Sequence, residues 1–255
     1  MKEGYIPTMC LVVLASMSNT SIALDSGMSF YWEESRGQRQ IGIMYERFER
    51  RTEGGFAITL SQWDKLQEDR YVARFAFPLA RRFNIHFDLG ATDVKGATGL
   101  APLFGAGLDI LAYKGRLFDL NVFTGGAYVS NIKDEETILW GVLPADDRAS
   151  FVYSDEYFLM MDYYELGGGL TLSRALDLGN RTKITPYVGI ESSILRGHVN
   201  EGSMLGSFYR ENFKETGVVS LMGGIAVAIS SRLGFRLEGR FISQTAVDAS
   251  VSVAF

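Results

Sequence analysis

The chain has 255 residues, with 25 Lys+Arg against 30 Asp+Glu and a formal net charge of −5. Charged residues are 22% and hydrophobic ones 47%, which excludes a disordered chain, and the several apolar runs of about 20 residues that a polytopic helical membrane protein needs are missing. The acidic balance gives no electrostatic reason to expect nucleic acid, while 28 Gly, 17 Phe and 12 Tyr beside only 5 Pro suit a large all-β sheet protein.

The first element is an address label. Lys2 precedes the apolar stretch from Met9 to Met17, and small residues at Ser21 and Ala23 fit export with cleavage after Ala23. Residues 1–23 are therefore read as a signal peptide, the alternative being an ordinary buried N-terminal helix. Cys10 lies inside that segment without a lipobox, so the mature chain would hold neither disulfides nor thiolate metal sites. Residues 24–39, with Trp32, form an N-terminal segment of open role.

From residue 40 the hydrophobic period is two. Strands are predicted at 40–50, with Ile41, Ile43 and Tyr45 on the apolar face, and at 69–78, with Tyr71, Ala73, Phe75 and Phe77. In 83–92, Phe83, Ile85, Phe87 and Leu89 alternate with Asn84, His86, Asp88 and Gly90. Weaker copies run through 103–113, 117–130, 157–173 and 183–198. Segment 213–230 is ambiguous, because sixteen uncharged residues run from Thr216 to Ser231. Gly223-Gly224 interrupts a helix there and the length is short for a spanning one, so a strand is preferred. Strands 233–242 and 247–255 complete ten, with eight or twelve kept as alternatives.

Connections alternate in length. Leu79 to Arg82, Lys114-Gly115-Arg116 and Ser231-Arg232 are tight, and 174–182 is somewhat longer. By contrast 51–68, 93–102, 131–156 and 199–212 are long; only 243–246 is short at that end. Short turns at one end and long loops at the other predict a transmembrane antiparallel up-and-down β-barrel over 40–255, with apolar side chains facing lipid. Aromatics mark both rims: Phe77, Phe83, Tyr113, Phe118 and Phe235 toward the turns, and Tyr45, Tyr71, Tyr128 and Tyr164 toward the loops.

The last strand, VDASVSVAF, alternates apolar residues Val251, Val253 and a terminal Phe255. It resembles the assembly signal of bacterial outer-membrane β-barrels. The opening IGIMYERFER of 41–50 and the hairpin FAFPLARRFNIHFDLG of 75–90 resemble small porin-like and OmpA-like barrels. The resemblance implies an outer-membrane location, lipid and lipopolysaccharide contacts, recognition by the barrel-assembly machinery, and a monomer.

The inward face then collects Glu46, Arg74, His86, Asp88, Asp109, Asn121, Glu165, Glu191, Arg236, Glu238 and Arg240. A ten-strand barrel leaves little room, so the plain reading is an internal salt-bridge network; the sharper one is a narrow, acid-biased solute path. Glycines 105, 107, 125, 167, 169, 189 and 224 on the same face free volume or admit Arg and Tyr from neighbouring strands. Arg47, Arg50 and Arg51 read as a solvated rim or a lipopolysaccharide contact.

Catalysis finds little support. His198 ends a strand, but Arg196 stands where omptin proteases carry Asp, and Asn200 where the outer-membrane phospholipase carries Ser. A pairing of His198 with Asp162 or Glu165 across the barrel stays open. No metal spacing or phosphate loop occurs, and no cofactor is expected. Loop 131–156 is acidic and carries Trp140 and Pro144. The expectation is a structural or narrow porin-like barrel and not an enzyme. The alternative is a surface recognition protein acting through loops 51–68 and 131–156.

Overall fold

The computed structural model describes residues 38–53, 65–141, 152–179, 181–203, 208–215 and 219–255. The signal peptide, Trp32 and the tip of the acidic loop lie outside them. Twelve strands are formed: β1 (Gln40–Glu53), β2 (Lys65–Ala80), β3 (Phe83–Val94), β4 (Leu100–Lys114), β5 (Asp119–Gly141), β6 (Val152–Ser173), β7 (Leu176–Asp177), β8 (Lys183–Ser203), β9 (Phe208–Glu215), β10 (Val219–Ala228), β11 (Leu233–Ile242) and β12 (Gln244–Ala254).

Ten of them close an antiparallel barrel. Neighbours follow the chain from β1 to β6, then β8, β10, β11 and β12, and β12 returns to β1. The registers are long: Ile41 faces Val253 on one side and Phe75 on the other. Closure leaves no free sheet edge around that ring. The segment 213–230, ambiguous as a sequence, is strand over 219–228. The small β7 lies within the predicted 174–182 connection and pairs only β8.

The predicted long connections are shorter than expected, because strands continue into them. The β5–β6 hairpin pairs from Asp119↔Ser173 up to Gly141↔Val152, so 131–141 is strand rather than loop. A register shift between Val129 and Ile132, with Asn131 at φ 61°, lets the hairpin continue past the last β4 pairing at Leu103↔Val129.

The loop-end wall changes strand number. β12 pairs β1 only up to Gln244↔Arg50, while Thr52 and Glu53 of β1 pair Glu215 and Lys214 of β9. β9 in turn pairs β8 from Arg196 to Gly202, above the level where β10 takes over that strand. The β11–β12 hairpin therefore ends within the wall, and β9 and β1 meet over its tip. Below the tip the ring has ten strands. Above it the ring is β1 to β6, β8 and β9, which is eight. Diameter falls with strand number, so the lumen tapers toward the loops. At the tip Ile242 takes φ 95°, and the Ser243 hydroxyl accepts from Val219 N–H at 3.1 Å and donates to Val219 C=O. This satisfies the backbone that a longer β11 would have paired.

The two faces have the predicted sense. β12 alternates buried and exposed over its whole length, with Val247, Val251 and Val253 outward and Asp248, Ser250 and Ser252 inward. Outward side chains around the ring are apolar, among them Ile43, Leu89, Val188, Leu221 and Leu237. The rims carry the expected rings: Tyr45 packs on Tyr71 with centroids 5.5 Å apart, and Tyr113 on Phe118 at 5.8 Å.

Candidate functional site in the barrel lumen

Inward positions on adjacent strands bring charged side chains into one interior. Glu46, Arg74, His86, Asp88, Asp109, Glu165, Glu191, Arg236, Glu238 and Arg240 are all buried there. Asn121 is half-buried and donates to Ser173 Oγ at 3.3 Å. Burial of so many charges requires pairing, and the pairing is extensive.

Arg240 sits at one hub. Its Nη1 donates to Glu46 Oε1 at 2.6 Å, its Nε to Glu238 Oε1 at 3.0 Å and its Nη2 to Asp248 Oδ2 at 3.4 Å. Asp248 also accepts from Arg236 at 2.9 Å, and Tyr187 OH donates to Glu238 at 2.7 Å. Glu46 bridges to a second hub, Arg70, whose Nη1 lies 3.4 Å from Glu46 Oε2. Arg70 donates further to Glu68 at 3.1 Å and Glu165 at 2.9 Å, and Tyr163 OH donates to Glu68 at 2.5 Å. Arg50 completes the chain by holding Glu165 and, at 3.2 Å, Glu215. Two local pairs stand beside this network: Arg74 with Asp88, bidentate at 2.7 Å, and His86 Nδ1 with Asp109 Oδ2 at 3.2 Å.

Glycine makes room for the bulky members. A Cβ on Gly107 would stand 2.5 Å from the His86 ring, and one on Gly224 2.5 Å from the Tyr187 oxygen. Both glycines belong to the inward set predicted from alternation, here as clearance for a neighbour's side chain.

Arg50 departs from the sequence expectation. The sequence places it in a rim cluster with Arg47 and Arg51, but it is 1% exposed and points inward. Strand β1 continues to Glu53, so alternation sends 46, 48 and 50 in and 47, 49 and 51 out. Arg47 lies at the surface, 4.0 Å from Asp69. Of the two partners left open for His198, the structure brings Asp162 to it, but beside it on the wall and not across the lumen. Asp162 and His198 are cross-strand neighbours, and Nε2 lies 3.4 Å from Asp162 Oδ2 on the outer wall, while Glu165 is buried inside. Among the described residues, no group of three or more His, Cys, Asp or Glu could hold a metal ion.

Toward the loop end the lining turns largely apolar, with Arg50, Glu68, Glu165 and Glu215 packed among the apolar side chains. Phe48, Leu66, Val94, Leu103, Val129, Met161, Leu195 and Phe213 pack in one buried cluster. These come from β1, β2, β3, β4, β5, β6, β8 and β9 respectively, one from each strand of the eight-strand ring. The Phe48 ring also lies under the guanidinium carbons of Arg70 and Arg50, at 4.1 and 4.9 Å. Sequence reading missed this layer, together with Arg50, Glu68, Arg70, Tyr163, Tyr187, Glu215 and Asp248 in the network. The signal for most of them is the same alternation within the predicted strands, whose inward face also holds these large apolar and paired side chains; only Leu66, Glu68 and Val94 lie in segments expected as loops.

No protein-family model and no curated protein matches the chain. Among solved structures, the translocator domain of the autotransporter NalP from Neisseria meningitidis is similar with a TM-score of 0.44 and 12% identity, over 98% of this chain and 95% of that one. The outer-membrane protease OmpT from Escherichia coli gives 0.44 and 9%, over 90% and 99%. An outer-membrane channel from Pseudomonas putida F1 gives 0.35 and 10%, over 91% and 100%. The roles of these three differ from one another.

Proposed function

We propose that the protein is a transmembrane β-barrel of a bacterial outer membrane with a sealed lumen, serving a structural rather than a catalytic or conducting role. The observation that carries this is the order of layers. Apolar side chains face outward around a ten-strand ring, paired charges fill the inside, and toward the loop end a buried apolar cluster, with a member from each strand of the eight-strand ring, packs among and beyond the uppermost charges. A water-soluble barrel would place the charges outside. An open pore would need a continuous polar path, and a hydrophobic constriction opposes one by dewetting. The test is planar-bilayer recording with purified, folded protein. Silence is the expected result; stable conductance steps of porin size would overturn the sealed reading.

Within this proposal the partners are outer-membrane lipids and lipopolysaccharide on the outward wall, and the assembly machinery during biogenesis. Val251, Val253 and Phe255 stand outward at the end of β12, where that machinery would read them.

A second reading, surface recognition, has one observation in its favour. The β5–β6 hairpin continues for ten residue pairs, Ile132↔Met161 to Gly141↔Val152, beyond the end of its β4 neighbour. β8 still flanks β6 as far as Tyr157↔Ser203, so the last five pairs, Thr137↔Glu156 to Gly141↔Val152, stand clear of both neighbours by roughly 15 Å at strand rise. Deleting 134–157 and finding unchanged binding of cells to host or bacterial surfaces would remove it.

A further inference from the structure

The buried residues of the lumen contain nine carboxylates, five arginines and one histidine. Even with His86 charged, the interior holds an excess of negative charge in a space where unpaired charge is costly. The excess is not spread evenly. On the neighbouring strands β8, β9 and β10, several buried oxygens have no hydrogen bond: both oxygens of Glu191, Oε1 of Glu215 and Oγ of Ser220. Register places Ser220 opposite Glu191. Ser193 lies two residues along the same face from Glu191 and donates to the other oxygen of Glu215 at 3.4 Å. Arg240 Nε stands 3.5 Å from Glu191 Oε2 but serves Glu46, Glu238 and Asp248 as well. Arg50 is likewise divided between Glu165 and Glu215.

We infer that this cluster, Glu191, Glu215, Ser193 and Ser220, binds one small monovalent cation. The donor set is all oxygen, which suits alkali ions. Two carboxylates flanked by two arginines are too weakly negative for a divalent ion, and the described residues offer no third acidic or imidazole ligand. The site lies below the apolar ring, so the ion enters from the turn end. There the lining is mixed: Ser250 and Ser252 are buried and Asn84 and Asn121 half-buried on one part of the wall, beside a buried cluster of Phe123, Tyr187 and Met222 on another. The lumen is then a one-ended cation site rather than a path.

The test uses the purified barrel folded in detergent. Urea midpoints are measured while choline chloride is replaced by NaCl or KCl at constant total chloride, choline being too bulky to enter. A saturating rise in the midpoint with Na⁺ or K⁺ is expected, as ligand linkage requires, and Glu191→Gln should remove it. Identical midpoints in choline and alkali salts would overturn the inference, leaving protons to neutralise the excess. Should Glu191→Gln not fold, Ser220→Ala keeps both carboxylates and is expected to shift the titration several-fold toward higher salt. An unchanged alkali effect in Ser220→Ala would place the ion elsewhere and overturn the assignment. Conductance does not enter this readout, so its failure and that of the sealed-barrel reading are separable.

Discussion

Arg50 Nη1 lies 3.2 Å from Glu215 Oε2, and this contact joins β1 to β9 just where the β11–β12 hairpin ends and the ring drops from ten strands to eight. The same guanidinium holds Glu165 on the opposite side of the lumen. One side chain thus fastens the taper from inside. Replacing it leaves two buried carboxylates without their shared cation. Arg50→Met should therefore cost about 3–5 kcal/mol, read from reversible urea unfolding of the folded barrel. Arg47→Met, whose side chain is 75% exposed beside Asp69, should cost at most about 1 kcal/mol. Equal effects would mean that the inward assignment of Arg50 is wrong.

The outward wall carries a different prediction. Leu237 and Val251 face out at 52% and 41% exposure, within the apolar belt. Leu237→Arg or Val251→Arg should cost about 2–4 kcal/mol near the membrane midplane. Gln67→Arg, on the outer wall beyond the Tyr45–Tyr71 ring, should be close to neutral. Unfolding from lipid vesicles measures both, and equal costs would show that no lipid belt lies between the two aromatic rims.

A tight steric relation gives a third test. Gly107 leaves space for the His86 ring, and an added Cβ would approach it to 2.5 Å. Gly107→Ala should push His86 away from Asp109 and cost about 1–3 kcal/mol. In the double variant with His86→Ala the ring clash is gone and only the 2.8 Å approach to the Thr124 carbonyl oxygen stays, so the two costs should be non-additive by the ring's share. Additive costs would argue against the contact.

Most of the ring was legible because period two is a strong signal where one face meets lipid and the other meets charge. Ten of the eleven predicted lumen residues from Glu46 to Arg240 are buried, and Asn121 is half-buried. The signal fails above the tyrosine rim, and there the physics reverses. Outside, Arg47 and Glu49 replace Ile41 and Ile43, because the wall has left the apolar belt. Inside, Phe48 occupies the face that Glu46 began, because just below the hairpin tip its ring joins the buried apolar cluster and lies against the guanidinium groups of Arg70 and Arg50. A reader following the apolar residues alone would pass onto the wrong face at residue 48. The shortened β11–β12 hairpin has no comparable trace, since it is a property of register. Only the closeness of 243–246 hinted that this connection differs from the other loops.

The C-terminus gives a fourth prediction, one for biogenesis. Phe255 is 68% exposed and its N–H donates to Arg39 C=O at 2.9 Å, so its ring adds little to the packed interior. Deleting it should leave the stability of refolded protein nearly unchanged. In cells, the level of folded, membrane-inserted barrel should fall while exported precursor persists. A normal cellular level would refute the assembly role, and a large loss of stability in vitro would assign Phe255 to the fold instead.

The apolar ring yields the final prediction. Phe48 and Phe213 are the two phenylalanines among its members and come from β1 and β9, the strands that meet over the hairpin tip. Phe48 also covers the guanidinium faces of Arg50 and Arg70. Each Phe→Ala change should cost about 3–5 kcal/mol through lost burial and the cavity it leaves. Removing both rings opens a gap toward the charge network, and that network can hydrate a gap which a purely apolar core would leave dry. The double variant Phe48→Ala/Phe213→Ala is therefore expected to pass small ionic currents in a planar bilayer, with cations preferred because the lumen carboxylates outnumber the arginines. The wild type should stay silent under the same voltage. Silence in a double variant that is verified as folded would move the seal elsewhere along the lumen. A conducting wild type would remove the seal altogether, because an open path through these residues is incompatible with one apolar side chain from each of eight strands packed across it.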